Sequence, residues 1–108
     1  MDYTTAHRTL AAIEASRSAT LVHQLLEGAA RYARLRAQWW LSDATTRREL
    51  DAERTAAHNA FIDACNILSR KMAQDGEDNG WRETLTSDRR EIGDFACLLT
   101  AILGLRAR

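Results

Sequence analysis

Apolar residues recur every three or four positions along three long segments, and this spacing restricts the fold more than any other feature of the chain. The segments run from about Thr4 to Trp40, from Thr46 to Gln74 and from Asp88 to Leu105. No stretch shows the sustained alternation of apolar and polar residues that a half-buried strand requires. Long helices joined by short loops pack as antiparallel neighbours. The sequence therefore predicts an all-α, up-and-down bundle of three to four helices with no sheet.

Local signals indicate where these helices begin and end. Thr46 and Asp88 are each followed three residues later by a glutamate, which fits a reciprocal N-terminal cap. The acidic run 75–80 combines glycine with aspartate and asparagine, residues that favour turns and helix C-termini. Arg17 interrupts the apolar face of the first segment and lies between two serines. A break at Arg17 would raise the number of helices from three to four.

The length and charge of the chain limit what it can bind. A chain of 108 residues is the size of one ordinary domain, so we assign residues 1–108 to a single helical domain. Its 15 basic and 15 acidic residues leave no net charge. Domains that bind nucleic acid or anionic membranes without specificity carry an excess of positive charge. The composition therefore argues against nucleic acid and membranes as partners.

Three features of the sequence predict a cytoplasmic protein. The chain begins without the basic start and apolar run of a signal peptide. Its longest apolar stretch, 92–105, is too short to span a bilayer. Its two cysteines, Cys65 and Cys97, lie in apolar helical patterns, where a reduced thiol behaves as a small hydrophobic side chain.

Two helical surfaces are candidates for contact with another chain. In the last segment, small residues recur at i, i+4, i+7 and i+11, which would let a second helix approach closely. The first segment ends in arginines interleaved with aromatic residues, and these residue types dominate protein interfaces. The candidate interface residues are Arg31, Tyr32, Arg36, Trp39, Trp40, Gly93, Cys97, Thr100 and Gly104.

A polar stripe on the second segment is the other candidate site. Asn59, Asp63, Asn66 and Arg70 share one narrow face opposite the apolar face. Asparagine and aspartate are poor residues for a helix interior because their side chains compete for backbone hydrogen bonds. We therefore expect this stripe to pack against a neighbouring helix. A polar ligand site and a plain solvent-exposed face remain open.

The sequence lacks the motifs of catalysis and metal binding. It contains no G-x-S-x-G nucleophile motif and no glycine-rich phosphate loop. Its histidines and cysteines are dispersed, without a C-x-x-C or H-E-x-x-H motif. His58, at the edge of the polar stripe, has the chemistry of an acid–base group, but a structural hydrogen bond is the commoner role of such a histidine. We expect no metal, no cofactor and no catalytic residue.

The phrases AHNAFIDACNILSR at 57–70 and DRREIGDFA at 88–96 resemble the signatures of a family of small uncharacterised bacterial helical proteins, a domain of unknown function. The resemblance covers roughly residues 45–105 and implies no known activity. It implies that His58, Asn59, Asp63, Arg70, Arg89 and Asp94 belong to one polar cluster. Arg54 and Asn66, from the same face of the second segment, complete this candidate cluster.

These observations predict a non-enzymatic helical module that associates with itself or with another protein, and a homodimer or other homo-oligomer is the expected form. Two alternatives from other functional classes remain. One is a small hydrolase or polar-ligand-binding domain centred on His58, Asn59, Asp63 and Arg70. The other is a nucleic-acid binder that uses Arg31, Arg34 and Arg36 beside the aromatic residues.

Overall fold

Four α-helices make up the bundle in the computed structural model, which describes residues 1–85 and 88–107. They are α1 (Tyr3–Glu14), α2 (Ala19–Trp40), α3 (Ala44–Gln74) and α4 (Arg89–Arg106), and a 3-10 turn lies at Gly80–Arg82. No strand occurs in either described range. The prediction of an all-α bundle is confirmed, and the number of helices is four.

The first predicted segment breaks at the position of Arg17 because a distant carboxylate binds the backbone there. The Arg17 backbone N–H donates to Oε2 of Glu77 at 3.0 Å, and Ser16 Oγ donates to Oε1 of the same residue at 3.5 Å. Arg17 Nη2 also donates to the carbonyl oxygen of Asp75 at 3.1 Å. These contacts attach the turn between α1 and α2 to the end of α3.

Aspartate residues cap the next two helices. Asp43 accepts a hydrogen bond from the backbone N–H of Thr46 at 2.8 Å, and this bond lowers the pKa of its carboxyl group. Helix α3 therefore begins at Ala44, two residues before the start predicted from Thr46, because Asp43 takes the capping position. Helix α4 begins as predicted after Asp88, which accepts from the backbone N–H groups of the first helical turn.

Helix α2 is the central element and packs against both α3 and α4. It is antiparallel to α3, since the end of α2 meets the start of α3, where Trp39 Nε1 donates to Asp51 Oδ1 at 3.0 Å. It is also antiparallel to α4, since Arg36 near its end pairs with Asp94 near the start of α4. Helix α1 packs mainly against α4.

The connection after α3 runs back along that helix instead of turning directly into α4. Asn79 Nδ2 donates to the backbone carbonyl and the hydroxyl of Ser69, each at 3.0 Å. Further along, Arg82 Nε donates to Asn66 Oδ1 at 2.7 Å. Helix α4 consequently starts at the end of the bundle where α3 begins and runs in the same direction as α3, so the predicted up-and-down order does not extend to α4.

The interior is apolar and is built by all four helices together with the connection. Its centre contains the rings of Phe61 and Phe95, with centroids 6.0 Å apart. The connection contributes Trp81 and Leu85 to the core, and both side chains are buried. The other large buried side chains are Leu10, Ile13, Leu25, Tyr32, Leu35, Cys65, Leu68, Met72, Ile92, Leu99 and Ile102. In the part of the chain that the structure describes, no helix is both long and apolar enough to cross a bilayer.

Replacing Phe61 with alanine tests this core directly. Phe61 is fully buried, so Phe61→Ala should lower the free energy of unfolding by about 3–5 kcal/mol. Ile67→Ala on the same helix is the matched control, because Ile67 is 43% exposed and its removal should cost about 0.5 kcal/mol or less. Urea unfolding followed by circular dichroism measures both. Equal costs for the two variants would contradict this core.

Candidate functional site

Arginine and aromatic side chains from three helices converge where α2 ends and α4 begins. The last turns of α2 contribute the aromatic residues, α3 contributes two arginines at i and i+7, and the first turn of α4 contributes two more. The residues are Tyr32, Arg36, Trp39, Trp40, Arg47, Arg54, Arg89 and Arg90. We call this set the arginine–aromatic end of the bundle.

Trp39 is fully engaged with α3. The guanidinium carbons of Arg47 and Arg54 lie 4.4 and 4.2 Å from its ring centroid, which is cation–π distance. Arg47 also donates to the carbonyl oxygens of Trp39 at 2.9 Å and of Trp40 at 3.2 Å. These carbonyls end α2 and would otherwise lack a partner within the helix. Trp39 therefore holds the corner between α2 and α3.

Trp40 is exposed at the edge of an apolar groove. Its side chain is 64% exposed, and the following Leu41 is 89% exposed. The groove has a volume of about 410 Å³ and lies between the end of α2, α4 and the N-terminus. Its lining residues are Met1, Arg36, Ala37, Trp40, Asp94, Cys97 and Leu98. We call this the apolar groove.

Arg36 crosses α4 at Gly93 and pairs with Asp94. Its Nη1 lies 2.9 Å from Asp94 Oδ1 and 3.9 Å from Cys97 Sγ. Burial lowers the pKa of Arg36, but the hydrogen bonds to Asp94 and Cys97 and the charges of these two groups together outweigh this effect, so the pKa is raised and the group stays charged. A Cβ at position 93 would lie 2.7 Å from Arg36 Nη1. The small residue on this part of α4 therefore admits an arginine side chain.

A second groove lies on the other side of Arg36 and is lined by four arginines. It has a volume of about 230 Å³ and is formed by Tyr32, Arg36, Trp39, Trp40, Arg54, Arg89 and Arg90. Arg89 Nη2 donates to Thr55 Oγ1 at 2.8 Å. Burial raises the pKa of Tyr32, although the charges of Arg36, Arg89 and Arg54 act in the opposite direction. We call this the basic groove.

A third groove, of about 300 Å³, adjoins the apolar groove through Met1 and Asp94. Its lining also includes Asp88, Arg90 and Glu91, so carboxylates predominate there. We call it the acidic groove. The apolar groove thus shares residues with both the basic and the acidic groove, and these two grooves share Arg90.

The predicted interface residues are only partly brought together. Tyr32, Arg36, Trp39, Trp40, Gly93 and Cys97 meet at the arginine–aromatic end. Gly104, at the other end of α4, is exposed, and a Cβ there would have no atom within 4 Å. Thr100 donates its hydroxyl to the carbonyl of Ala96 within the same helix. Arg31 is exposed and does not line these grooves.

The eight predicted polar-cluster residues do not form one cluster. Arg54 lies over Trp39, Arg89 contacts Thr55, and Asp94 pairs with Arg36. His58 packs its ring against Tyr32 at a centroid distance of 5.5 Å, and its Nδ1 lies 3.2 Å from Asn59 Oδ1. The remaining residues of the set are Asp63, Asn66 and Arg70, which lie further along α3.

The polar stripe does not pack against a neighbouring helix. Asn59, Asp63 and Arg70 are exposed, so the expectation is wrong for these three residues. Asn66 is half-buried, but it accepts its hydrogen bond from Arg82 in the connection. The physical reason is that α2 covers the apolar face of α3, which leaves the opposite face to solvent and to the connection alone.

The two alternative sites are also dispersed. Arg70 lies 12 residues after His58, about 18 Å further along α3. His58 Nε2 is buried and has no hydrogen-bond partner in the described ranges. At 100° per residue, Arg36 lies about 140° around α2 from Arg31, so these arginines face different surroundings. Among the described residues, no group of three or more histidine, cysteine, aspartate or glutamate side chains is placed to hold a metal ion.

No family model, curated protein or solved structure matches this chain. The resemblance carried by 57–70 and 88–96 therefore stays a prediction. The geometry of the arginine–aromatic end is the basis for a functional proposal.

The two glycines of α4 should respond differently to alanine. Gly104→Ala should stabilise the protein by about 0.5–1 kcal/mol, because the methyl group meets open space and the helix gains propensity. Gly93→Ala should stabilise the protein less than Gly104→Ala does, or should destabilise it, because the new methyl group displaces the Arg36 guanidinium that pairs with Asp94. Thermal unfolding of both variants measures the difference. Equal stabilisation by the two variants would show that the position of the Arg36 side chain does not require a glycine at position 93.

Two asparagines of the stripe make a second matched pair. Asn59→Glu should leave the melting temperature unchanged or raise it slightly, because the side chain is exposed and glutamate is the better helix former. Asn66→Ala should cost about 1–3 kcal/mol, because it removes the acceptor of the half-buried Arg82. Differential scanning calorimetry compares them. A loss of stability in Asn59→Glu would indicate a contact on the exposed face.

Proposed function

We propose that this protein is a non-enzymatic self-associating module that forms a homodimer through Trp40 and the apolar groove. The observation that carries the proposal is the 64% exposure of Trp40 beside a groove of about 410 Å³. A tryptophan side chain can bury roughly 150–250 Å² of surface. Tryptophan is also enriched among the interface residues that contribute most of the binding energy. Leu41 adds a second exposed apolar side chain next to it.

The position of Trp40 favours a closed dimer. Trp40 and the apolar groove are neighbours on one surface, so two copies related by a two-fold axis can each insert this ring into the groove of the other. Such an interface uses the same patch twice and closes without leaving a free binding surface. Ala37, Cys97 and Leu98 would form the apolar floor beneath the ring.

The charges beside the apolar groove favour a second copy as the partner. Both the basic and the acidic groove adjoin it, and these two grooves share Arg90. A two-fold axis in the plane of the contact can bring the basic groove of each copy towards the acidic groove of the other. Complementary charges of this kind set the register and speed association.

The other predicted functions have less support from the geometry. A hydrolase centred on His58 would need Asp63 and Arg70, which lie elsewhere on α3 and are exposed. A nucleic-acid surface through Arg31, Arg34 and Arg36 would need three free guanidinium groups on one face, and Arg36 is paired with Asp94. We further propose a cytoplasmic setting, because Cys65 and Cys97 are free thiols.

Sedimentation equilibrium tests the dimer. The protein should be dimeric at micromolar concentration, and Trp40→Ala should weaken association by at least about 30-fold, the loss of a typical interface hot spot. Ile67→Ala, which removes an exposed apolar side chain on the outer face of α3, is the matched control and should leave the dimer intact. A monomeric protein, or equal weakening by both variants, would refute the proposal.

The two cysteines locate the interface within the same experiment. Cys97 is half-buried in the apolar groove, so a maleimide should modify it faster in Trp40→Ala than in the dimer. Cys65 is an internal standard, because burial raises the pKa of its thiol to about 12 and keeps it unreactive in both states. Equal labelling of Cys97 in a dimer and in a monomer would place the contact elsewhere.

A further inference from the structure

We propose that the basic groove binds the phosphate group of a small organic phosphate monoester. This site lies beside the proposed dimer contact and shares Trp40 with it, but three of its four arginines lie outside that contact. The groove is lined by four arginines and three aromatic residues, and no carboxylate is among its lining residues. A chain without net charge has therefore concentrated positive charge in one concave surface.

Two of these arginines are paired with carboxylates within the fold, and the other two are exposed at the mouth of the groove. Arg36 is paired with Asp94 at 2.9 Å, and Arg54 lies 3.6 Å from Asp51. Arg89, in contrast, donates to the neutral hydroxyl of Thr55. Arg90 lines both the basic groove and the acidic groove. An anionic ligand in the basic groove would therefore supply a counter-charge to Arg89 and would share Arg90 with the carboxylates of the acidic groove.

The number of donors favours a phosphate group over a carboxylate. Each guanidinium presents N–H groups in a planar fork that matches the oxygens of either group. Burial raises the pKa of Tyr32, so its hydroxyl stays protonated and can donate from the wall of the groove. A phosphate monoester has three terminal oxygens and a charge of roughly −1.5 to −2 at neutral pH, and these oxygens can accept from several donors at once.

The site is formed by side chains and not by the end of a helix. Asp88 accepts from the backbone N–H groups of Arg90 and Glu91, so these donors at the start of α4 are already used. Trp40 borders both the basic and the apolar groove, so the organic group of the ester would lie against its ring. An aromatic ester should therefore bind more tightly than inorganic phosphate.

Isothermal titration with phenyl phosphate and with inorganic phosphate tests the site. We expect saturable binding of phenyl phosphate, about tenfold tighter than that of inorganic phosphate because of stacking on Trp40. Affinity should rise between pH 5 and pH 7.5, since the second proton leaves the monoester near pH 6 and the dianion is the preferred form. Trp40→Ala should abolish the preference for the aromatic ester but retain binding of inorganic phosphate.

Paired charge variants identify the residues that bind. The double variant R89Q/R90Q should weaken phenyl phosphate binding at least about tenfold, with circular dichroism confirming that the helices are intact. R31Q/R34Q removes the same charge from exposed positions of α2 and is the matched control, which should bind as the wild type does. Equal weakening by both variants would show general attraction to positive charge and overturn the proposal.

Two further results would also overturn it. One is the lack of saturation with phenyl phosphate up to about 10 mM, a concentration that corresponds to negligible affinity. The other is tighter binding of a single-stranded oligonucleotide with a steep dependence on salt, which would indicate contact with many phosphates. Sedimentation of the same samples distinguishes the two proposals. In Trp40→Ala, the loss of the dimer tests the proposed function, and the binding of inorganic phosphate tests the phosphate site.

Discussion

The hydrogen bonds that hold the connection against α3 determine where the candidate site can form. Asn79 donates to Ser69, and Arg82 donates to Asn66 one turn closer to the start of α3. These contacts carry the chain back along α3, so that α4 starts beside the end of α2. A short turn after Gln74 would have placed the start of α4 beside the end of α3, away from the arginine–aromatic end. The grooves at the arginine–aromatic end depend on this return.

The pair between Arg36 and Asp94 then divides the surface into its two chemically different parts. Arg36 crosses α4 at Gly93, where an added Cβ would lie 2.7 Å from its Nη1. Its methylene groups and guanidinium form the boundary between the apolar and the basic groove. The ion pair with Asp94, in which the aspartate side chain is 41% exposed, holds the guanidinium at this boundary.

Periodicity in the sequence was sufficient for the fold class and for the end of α3, because apolar burial requires a continuous stripe on every helix. It was also sufficient to place Asp88 at the start of α4. It could not give the direction of α4, which depends on pairwise contacts such as that of Arg82 with Asn66. For the same reason Arg90 was missed as part of the candidate site, although it lies within a segment that had already been singled out. The stripe containing Asn59 was misjudged because composition does not show which face a neighbour covers.

Trp39 and Trp40 show how neighbouring residues of one type acquire different roles. Trp39 faces α3, where its indole N–H has an acceptor in Asp51 and its ring lies under two guanidinium groups. Trp40 lies 100° further around α2, where it makes an edge contact with Trp39, lies near Arg47 and borders both the apolar and the basic groove. These contacts leave 64% of its side chain exposed. Because the neighbouring Leu41 is exposed as well, the two side chains form an apolar patch beside the groove, and this patch is the basis of the proposed binding function.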